Sequence, residues 1–193
     1  MGDFRTRGLV FVGARDYYDA VVPGGAAAVA QQLDRETATF FEQIFLGSAM
    51  YDVMPILTIS AVAARLAGTP HMDFVRGNSV WLAEHDLSGV YKLFIRSLPP
   101  EAVALRLPKL ALKYFDFGEA ETRAQGERCC IGEMRGIPAA LVPWLHACVQ
   151  GYARTALIIA GAKNAHARLL ETELQGNASE DALSTLKFEL RWS

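Results

Sequence analysis

The sequence has few cysteines, almost no net charge and no long apolar segment. Its three cysteines, Cys129, Cys130 and Cys148, cannot all pair within one chain, and no secretory leader is recognisable, so a disulfide-rich secreted fold is not expected. Nineteen basic residues against 21 acidic ones give a net charge of −2, and no basic cluster is present for nucleic-acid binding. The longest apolar stretches, residues 53–64 and 155–162, are shorter than the roughly 20 residues of a membrane helix. We expect a cytoplasmic protein that binds no nucleic acid and inserts into no membrane.

Recognisable catalytic motifs are also missing. The sequence contains neither a Gly-x-Ser-x-Gly elbow nor a Gly-x4-Gly-Lys-Ser/Thr phosphate loop. No histidine has a partner at the spacing of a metal site; the four are His71, His85, His146 and His166. We predict no catalytic residues and no metal site. An enzyme acting through Cys129 or Cys130 stays an alternative, which requires an exposed thiol with a lowered pKa.

Helical patterns dominate the first 117 residues. They predict helices over 16–22, 25–33, 35–46 and 50–66, and then over 70–98 with a break at Ser88-Gly89. Residues 8–12 form a short apolar run that fits either a strand or the start of a helix. A last helical pattern covers 101–117, with an interruption at Pro108.

The pattern changes after Gly118. Residues 119–124 and 127–134 read as one hairpin, residues 165–174 and 185–192 as another, and residues 143–160 as a helix between them. From Leu186 to Trp192 every even-numbered residue is apolar and every odd-numbered one charged, as in a strand with one buried face. We predict one α+β domain over residues 1–193, with helices in its first two thirds and a hairpin–helix–hairpin antiparallel sheet over 118–193.

Large aromatic side chains are concentrated in the helical part. A helical layer over a sheet needs most of them in its core, but some can also line a cavity for a flat or apolar ligand. We predict that such a ligand pocket would be lined by Trp81, His85, Tyr91, Tyr114 and Phe115. The pattern does not separate a filled core from a hollow one, so both interpretations stay open.

The order of elements resembles a known group of proteins. Several helices, then Tyr114-Phe115-Asp116-Phe117-Gly118, a hairpin, a long helix and a hairpin ending in Arg191-Trp192 resemble a family of uncharacterised myxobacterial proteins of similar length. That family is similar to the fold of haem–nitric-oxide-binding domains, 4-vinyl-reductase-type sensor domains and TRAPP trafficking subunits. The resemblance covers nearly the whole chain, with one departure: Met50 to Pro55 stands where the myxobacterial family has a Trp-Tyr-Pro word.

The resemblance implies either small-molecule sensing between helices and sheet or dimerisation and scaffolding. Haem-binding relatives use a helical histidine as iron ligand and a Tyr-x-Ser-x-Arg motif to bind the propionates. This sequence lacks the Tyr-x-Ser-x-Arg motif. The cysteine cluster of the 4-vinyl-reductase type is also absent. We therefore expect a non-enzymatic sensor or interaction module, a homodimer with a protein partner and a small apolar ligand. The alternatives are a haem or tetrapyrrole sensor with His85 or His71 as axial ligand, and a structural scaffold subunit.

Overall fold

The computed structural model describes residues 4–175 and 182–193, apart from the side chains of residues 90–91, 110–112 and 173–175. Its first part is mainly helical. The elements of this part are β1 (Arg5–Arg7), α1 (Gly8–Val21), α2 (Gly25–Gln31), α3 (Arg35–Glu42), β2 (Met50–Asp52), α4 (Pro55–Leu66), α5 (His71–Asp86), α6 (Gly89–Arg96), α7 (Pro100–Ala104) and α8 (Leu107–Tyr114).

The second part is a sheet with one long helix. Its elements are β3 (Glu119–Ala124), β4 (Cys129–Pro138), a 3₁₀ turn (Ala139–Leu141), α9 (Val142–Ile159), β5 (His166–Gln175) and β6 (Leu183–Arg191). The four strands are antiparallel in the order β3-β4-β6-β5. The predicted α+β fold, with helices first and a hairpin–helix–hairpin sheet after them, is confirmed.

Two predicted helices of the first part begin or end elsewhere because of tertiary contacts. The helix predicted from residue 50 begins at Pro55, because Met50–Asp52 pairs with β1 as a strand and the Asp52 carboxylate accepts a hydrogen bond from the Met54 amide. The helix predicted to reach residue 46 ends at Glu42. Beyond it, Phe45 turns inward and stacks on Phe11 at 4.6 Å between ring centroids.

Alternation in the last strand places one face of the sheet in the core. Leu186, Leu190 and Phe188 on β6 are all nearly inaccessible to solvent. Opposite them, Gly132 of β4 pairs with Phe188, and a Cβ at Gly132 would lie 2.2 Å from a carbon of that ring. The missing side chain therefore lets the Phe188 ring lie against the neighbouring strand, on the face that carries the candidate site.

Helix α9 lies between α5 and the sheet. The two helices approach most closely at Gly151, where a Cβ would be 2.5 Å from the Arg76 carbonyl oxygen and 2.7 Å from the Ser79 Cβ. Only a residue without a side chain allows this separation, since the neighbouring atoms belong mainly to the α5 backbone. Among residues 4–175 and 182–193, every helix is too short or too polar to span a bilayer.

A polar stripe runs along α9 at His146, Gln150 and Arg154, which recur every four residues, and it faces solvent only in part. Gln150 is half-buried; its amide accepts a hydrogen bond from Arg76 of α5 and donates one to the Ala167 carbonyl of β5. His146 is half-buried as well, and its Nε2 atom is buried without a partner in the described residues. Arg154 alone is exposed, and its Nε donates to the Ala165 carbonyl. The stripe faces neighbouring elements because α9 is covered on both sides.

Candidate functional site

A partly enclosed, mainly apolar cavity of about 130 Å³ lies where α5, α8 and α9 meet the inner face of the sheet. Helix α5 contributes Asn78 and Leu82, one helical turn apart. Helix α9 contributes the side chains one turn apart at Cys148 and Tyr152. The ring of Phe188 forms part of the sheet side. An apolar cavity of about 150 Å³ admits benzene or xenon, so the available space suits a small molecule rather than a large one.

The first strand positions the end of α8 at the cavity. The backbone amide and the guanidinium of Arg5 both donate to Asp116, at 2.8 and 2.6 Å. The buried Thr6 hydroxyl donates to the Tyr114 carbonyl at 2.9 Å, and Thr6 also bridges Phe115 as an isolated antiparallel pair. These bonds hold Tyr114 and Phe115, which both line the cavity.

Asp86, Tyr114 and Tyr152 form a polar cluster at one side of the cavity. The Tyr114 hydroxyl donates a hydrogen bond to the Asp86 carboxylate, and the Tyr152 ring lies edge-on to the Tyr114 ring with 6.2 Å between the ring centroids. Burial raises the pKa of Asp86, against the opposing effects of the Tyr114 hydrogen bond and of His85. Burial also raises the pKa of Tyr114, with Tyr152 and Asp86 adding to it, and raises the pKa of Tyr152 to about 12. Both tyrosines are therefore neutral hydrogen-bonding groups near neutral pH.

The two helices contribute a second set of polar groups. Burial raises the pKa of the Cys148 thiol to about 12, against the opposing effect of the Ser79 hydroxyl, so the thiol stays protonated. Asn78 differs from both: its Oδ1 atom is buried and has no hydrogen-bond partner in the described residues. Sequence analysis missed Asn78, because one amide in a helix makes no recognisable pattern.

The five residues predicted for a pocket are not all brought together. Tyr114 and Phe115 line the cavity. Trp81 and His85 do not line the cavity, because α5 meets it with the neighbouring positions 78, 79 and 82. The Trp81 and His85 rings stack on each other at 3.7 Å, next to Tyr17 of α1. The side chain of Tyr91 lies outside the residues that the structure describes.

The vicinal cysteines do not have the surroundings of reactive thiols. Cys130 is fully buried in the core, and burial raises its pKa to about 11. Cys129 is 4% exposed, and burial also raises its pKa, which the nearby Glu189 carboxylate raises further and Arg191 lowers. Neither cysteine is the exposed thiol that an enzyme acting through Cys129 or Cys130 would require, because Cys129 lies under the Glu189 and Arg191 side chains.

One unpredicted contact joins a hydroxyl to a histidine. The Ser60 Oγ of α4 lies 2.8 Å from the His71 Nε2 of α5. Ser60 is only 3% exposed and also donates to the Leu57 carbonyl, so this hydroxyl is inaccessible to a substrate. No metal-binding group of three or more histidine, cysteine or acidic side chains occurs in the described part of the chain.

Comparison with known proteins gives a fold but no sequence relative. No family model matches the sequence, and no curated protein matches it. The chain is similar to the solved structure of an oxygen-binding H-NOX domain related to soluble guanylate cyclases, with a TM-score of 0.63 and 11% identity over 96% of this chain and 92% of that one. The chain is also similar to an Fe(II) unliganded H-NOX mutant from K. algicida, with a TM-score of 0.64 and 10% sequence identity. That match covers 97% of this chain and 96% of the other. The chain has the fold of H-NOX domains.

The described residues do not fit a haem in this cavity. All four histidines are described, and none lines the cavity. Cysteine thiolate and tyrosine are also known axial ligands. Here, however, Cys148 stays protonated, the Tyr114 hydroxyl donates to Asp86, and burial raises the pKa of Tyr152 to about 12. No lysine or arginine is among the described lining residues to neutralise propionates, and Glu121 adds a negative charge instead.

Proposed function

We propose that this protein is a non-enzymatic sensor module that binds a small, mainly apolar molecule in the cavity between α5, α8, α9 and the sheet. The observation that carries the proposal is the cavity itself, which is about 130 Å³ in volume and apolar over most of its wall. Filling it with an apolar molecule removes hydrophobic surface from water at both partners. The Tyr114–Asp86 hydrogen bond supports the proposal, because it joins α8 to α5 beside the space, and the Tyr152 ring of α9 packs edge-on against Tyr114.

A cavity-blocking variant tests this function. Ala153 of α9 is 4% exposed and lines the cavity, so Ala153→Leu adds three carbon atoms to that space. We expect toluene to bind the wild-type protein in calorimetric titration, and Ala153→Leu to abolish this binding while the circular dichroism spectrum is unchanged. Trp81→Ala is the matched control, since Trp81 lies outside the cavity and its loss should leave toluene affinity unchanged in the folded protein. No toluene binding by the folded wild type would contradict the proposal.

A haem or tetrapyrrole sensor is the second candidate. The H-NOX neighbours favour it, since they cover nearly the whole chain and two of them concern the haem in their own structures. The lining residues oppose it, for the reasons above. Purification from cells supplied with a haem precursor, followed by an absorbance scan and native mass spectrometry, separates the two: we expect no Soret band and no haem mass.

A protein partner and a homodimer stay predictions. Helix α6 exposes Leu93 and Phe94, which are 67% and 54% accessible, and such apolar side chains on one short helix are typical of a contact surface. Replacing both with serine should lower self-association in sedimentation velocity, with the exposed Ile44 replaced by serine as control. A wild-type protein that sediments as a monomer at all concentrations would contradict the homodimer.

A further inference from the structure

Aromatic side chains are concentrated in the cavity wall. Aromatic residues make up 10% of the chain, whereas five of the 19 residues that line the cavity are aromatic. These five are Tyr114, Phe115, Trp144, Tyr152 and Phe188. They belong to α8 and the residue after it, to α9 and to β6, so aromatic side chains contribute to the cavity from both the helices and the sheet.

Two pairs of these rings lie edge to face. The Tyr114 and Tyr152 rings are 6.2 Å apart between centroids, with 69° between their planes, and the Phe115 and Trp144 rings are 6.5 Å apart at 90°. Such pairs are attractive because the electron-poor edge of one ring meets the electron-rich face of the other. An aromatic ligand has the same kind of edge and face, so it can add contacts of this type. A saturated ring has neither.

Two sulfur-containing side chains of the wall also suit an aromatic ligand. Met134 of β4 and Cys148 of α9 both line the cavity. A methionine sulfur makes favourable contacts beside the edge of an aromatic ring. The Cys148 thiol is neutral, since burial raises its pKa to about 12, so it adds no negative charge that would repel the electron-rich face of a ring.

We infer that the ligand of this cavity is an uncharged molecule with a single aromatic ring, rather than a saturated hydrocarbon of similar size. This inference rests on the proposed function, since it assigns the ligand class of the same cavity. The volume of about 130 Å³ limits the ligand to roughly the size of one substituted ring. A ring of that size lies against several of the five aromatic side chains at once, because they belong to different elements around the space.

A pair of hydrocarbons tests the inference on the wild-type full chain. Toluene and methylcyclohexane have the same number of carbon atoms, and neither forms ordinary hydrogen bonds. Hydrophobic burial alone favours methylcyclohexane, because the saturated ring has the larger apolar surface. We expect the opposite order, with toluene bound about tenfold more tightly through its contacts with the aromatic wall. Headspace gas chromatography over the protein solution measures the free concentration of each volatile compound and gives both affinities.

Two matched variants locate the effect in the wall. Phe115→Leu replaces one aromatic lining residue with an aliphatic one, and it should lower the ratio of toluene affinity to methylcyclohexane affinity roughly threefold. Phe117→Leu is the same substitution at a residue that is likewise half-buried but does not line this cavity, and it should leave the ratio unchanged. Circular dichroism verifies that both variants are folded, and the wild-type comparison does not depend on either.

The outcomes separate this inference from the proposed function. Equal affinities, or tighter binding of methylcyclohexane by the folded wild type, would overturn the aromatic ligand class and leave the cavity as a general apolar site. An equal fall of the affinity ratio in Phe115→Leu and Phe117→Leu would overturn the role of the cavity wall. If the folded protein bound neither compound, the proposed function itself would fail.

Discussion

The contact between α5 and α9 is close at one point and open a short distance away. At Gly151 the two helices leave no room even for a methyl group, since a Cβ there would be 2.5 Å from the Arg76 carbonyl oxygen. Around Cys148, Tyr152 and Ala153 the same two helices leave the cavity. A contact that holds two helices at one point does not close their whole interface, and the remaining space is where a ligand can be bound.

The difference also concerns polar groups. Near the end of α5, the Asp86 carboxylate accepts a hydrogen bond from the Tyr114 hydroxyl, and this bond connects α5 to α8. Two turns earlier on α5, the buried Asn78 Oδ1 atom accepts no hydrogen bond from the described residues. Satisfied polar groups stabilise the fold, whereas a buried polar group without a partner lowers its stability.

Enlarging a small residue of α9 to leucine should cost more stability at the close contact with α5 than beside the cavity. Gly151→Leu forces new atoms against the α5 backbone and should lower the free energy of unfolding by roughly 3 kcal/mol. Ala153→Leu, two residues away, adds its atoms to the cavity and should lower it by less than about 1 kcal/mol. Urea denaturation of both variants checks the contrast. Equal losses would mean that the cavity side of the interface is as tightly packed as the Gly151 side.

The polar cluster should be costly to open. Tyr114→Phe leaves the half-buried Asp86 carboxylate without its donor, so we expect a loss of about 2 kcal/mol in the free energy of unfolding. Tyr152→Phe leaves the Tyr114–Asp86 hydrogen bond in place and should cost no more than about 1 kcal/mol. Urea denaturation of both variants measures the two losses. A larger loss for Tyr152→Phe than for Tyr114→Phe would contradict the assignment of the Tyr114–Asp86 hydrogen bond as the main stabilising contact of the cluster.

Replacing the Asn78 side chain, whose buried oxygen has no partner in the described residues, should raise the free energy of unfolding rather than lower it. Asn78→Leu takes away a buried acceptor that has no partner in the described residues and adds apolar contacts, so the protein should gain about 1 kcal/mol in stability. Thermal unfolding in the absence of any added compound measures the change. A variant clearly less stable than wild type would show that Asn78 is bonded in the folded protein.

Acidification should weaken the interface through a buried histidine. Burial and the nearby Arg76 lower the pKa of His146 below its ordinary value of 6.5. The unfolded chain therefore binds a proton first as the pH falls, and stability is lost below about pH 6.5 until the folded state is protonated too. His146→Gln should reduce the loss of stability between about pH 7 and pH 5. The loss should not vanish, because burial also lowers the pKa of His71.

Urea denaturation between about pH 7 and pH 5 measures this difference. If His146→Gln lost stability as steeply as the wild type, the burial of His146 would not be the cause of the loss.

Local patterns predicted the sheet part better than the helical part. The alternation from Leu186 to Trp192 identifies the buried face of β6, because strand side chains point to opposite faces whatever packs on them. Strand β2 and the end of α3 depend instead on pairing with β1 and on the position of Phe45, which are contacts between distant parts of the chain. No local pattern contains that information.

The site was predictable only in part for the same reason. Tyr114 and Phe115 stand out as adjacent aromatics before a glycine-bounded hairpin, and both line the cavity. The face of α5 that meets the cavity depends on how α9 crosses it at Gly151, so Trp81 and His85 could not be placed from the sequence. The buried Asn78 Oδ1 atom, which has no hydrogen-bond partner in the described residues, is recognisable only from the three-dimensional structure.

The most direct test of the apolar cavity is a crystal structure of the protein under xenon pressure. Apolar cavities of about 150 Å³ bind xenon without any specific contact. We expect one xenon atom between Leu82, Tyr152 and Phe188 in the wild type, and none there in crystals of Ala153→Leu. A wild-type structure in which side chains close this space and no xenon enters, or in which a haem fills it, would contradict the account.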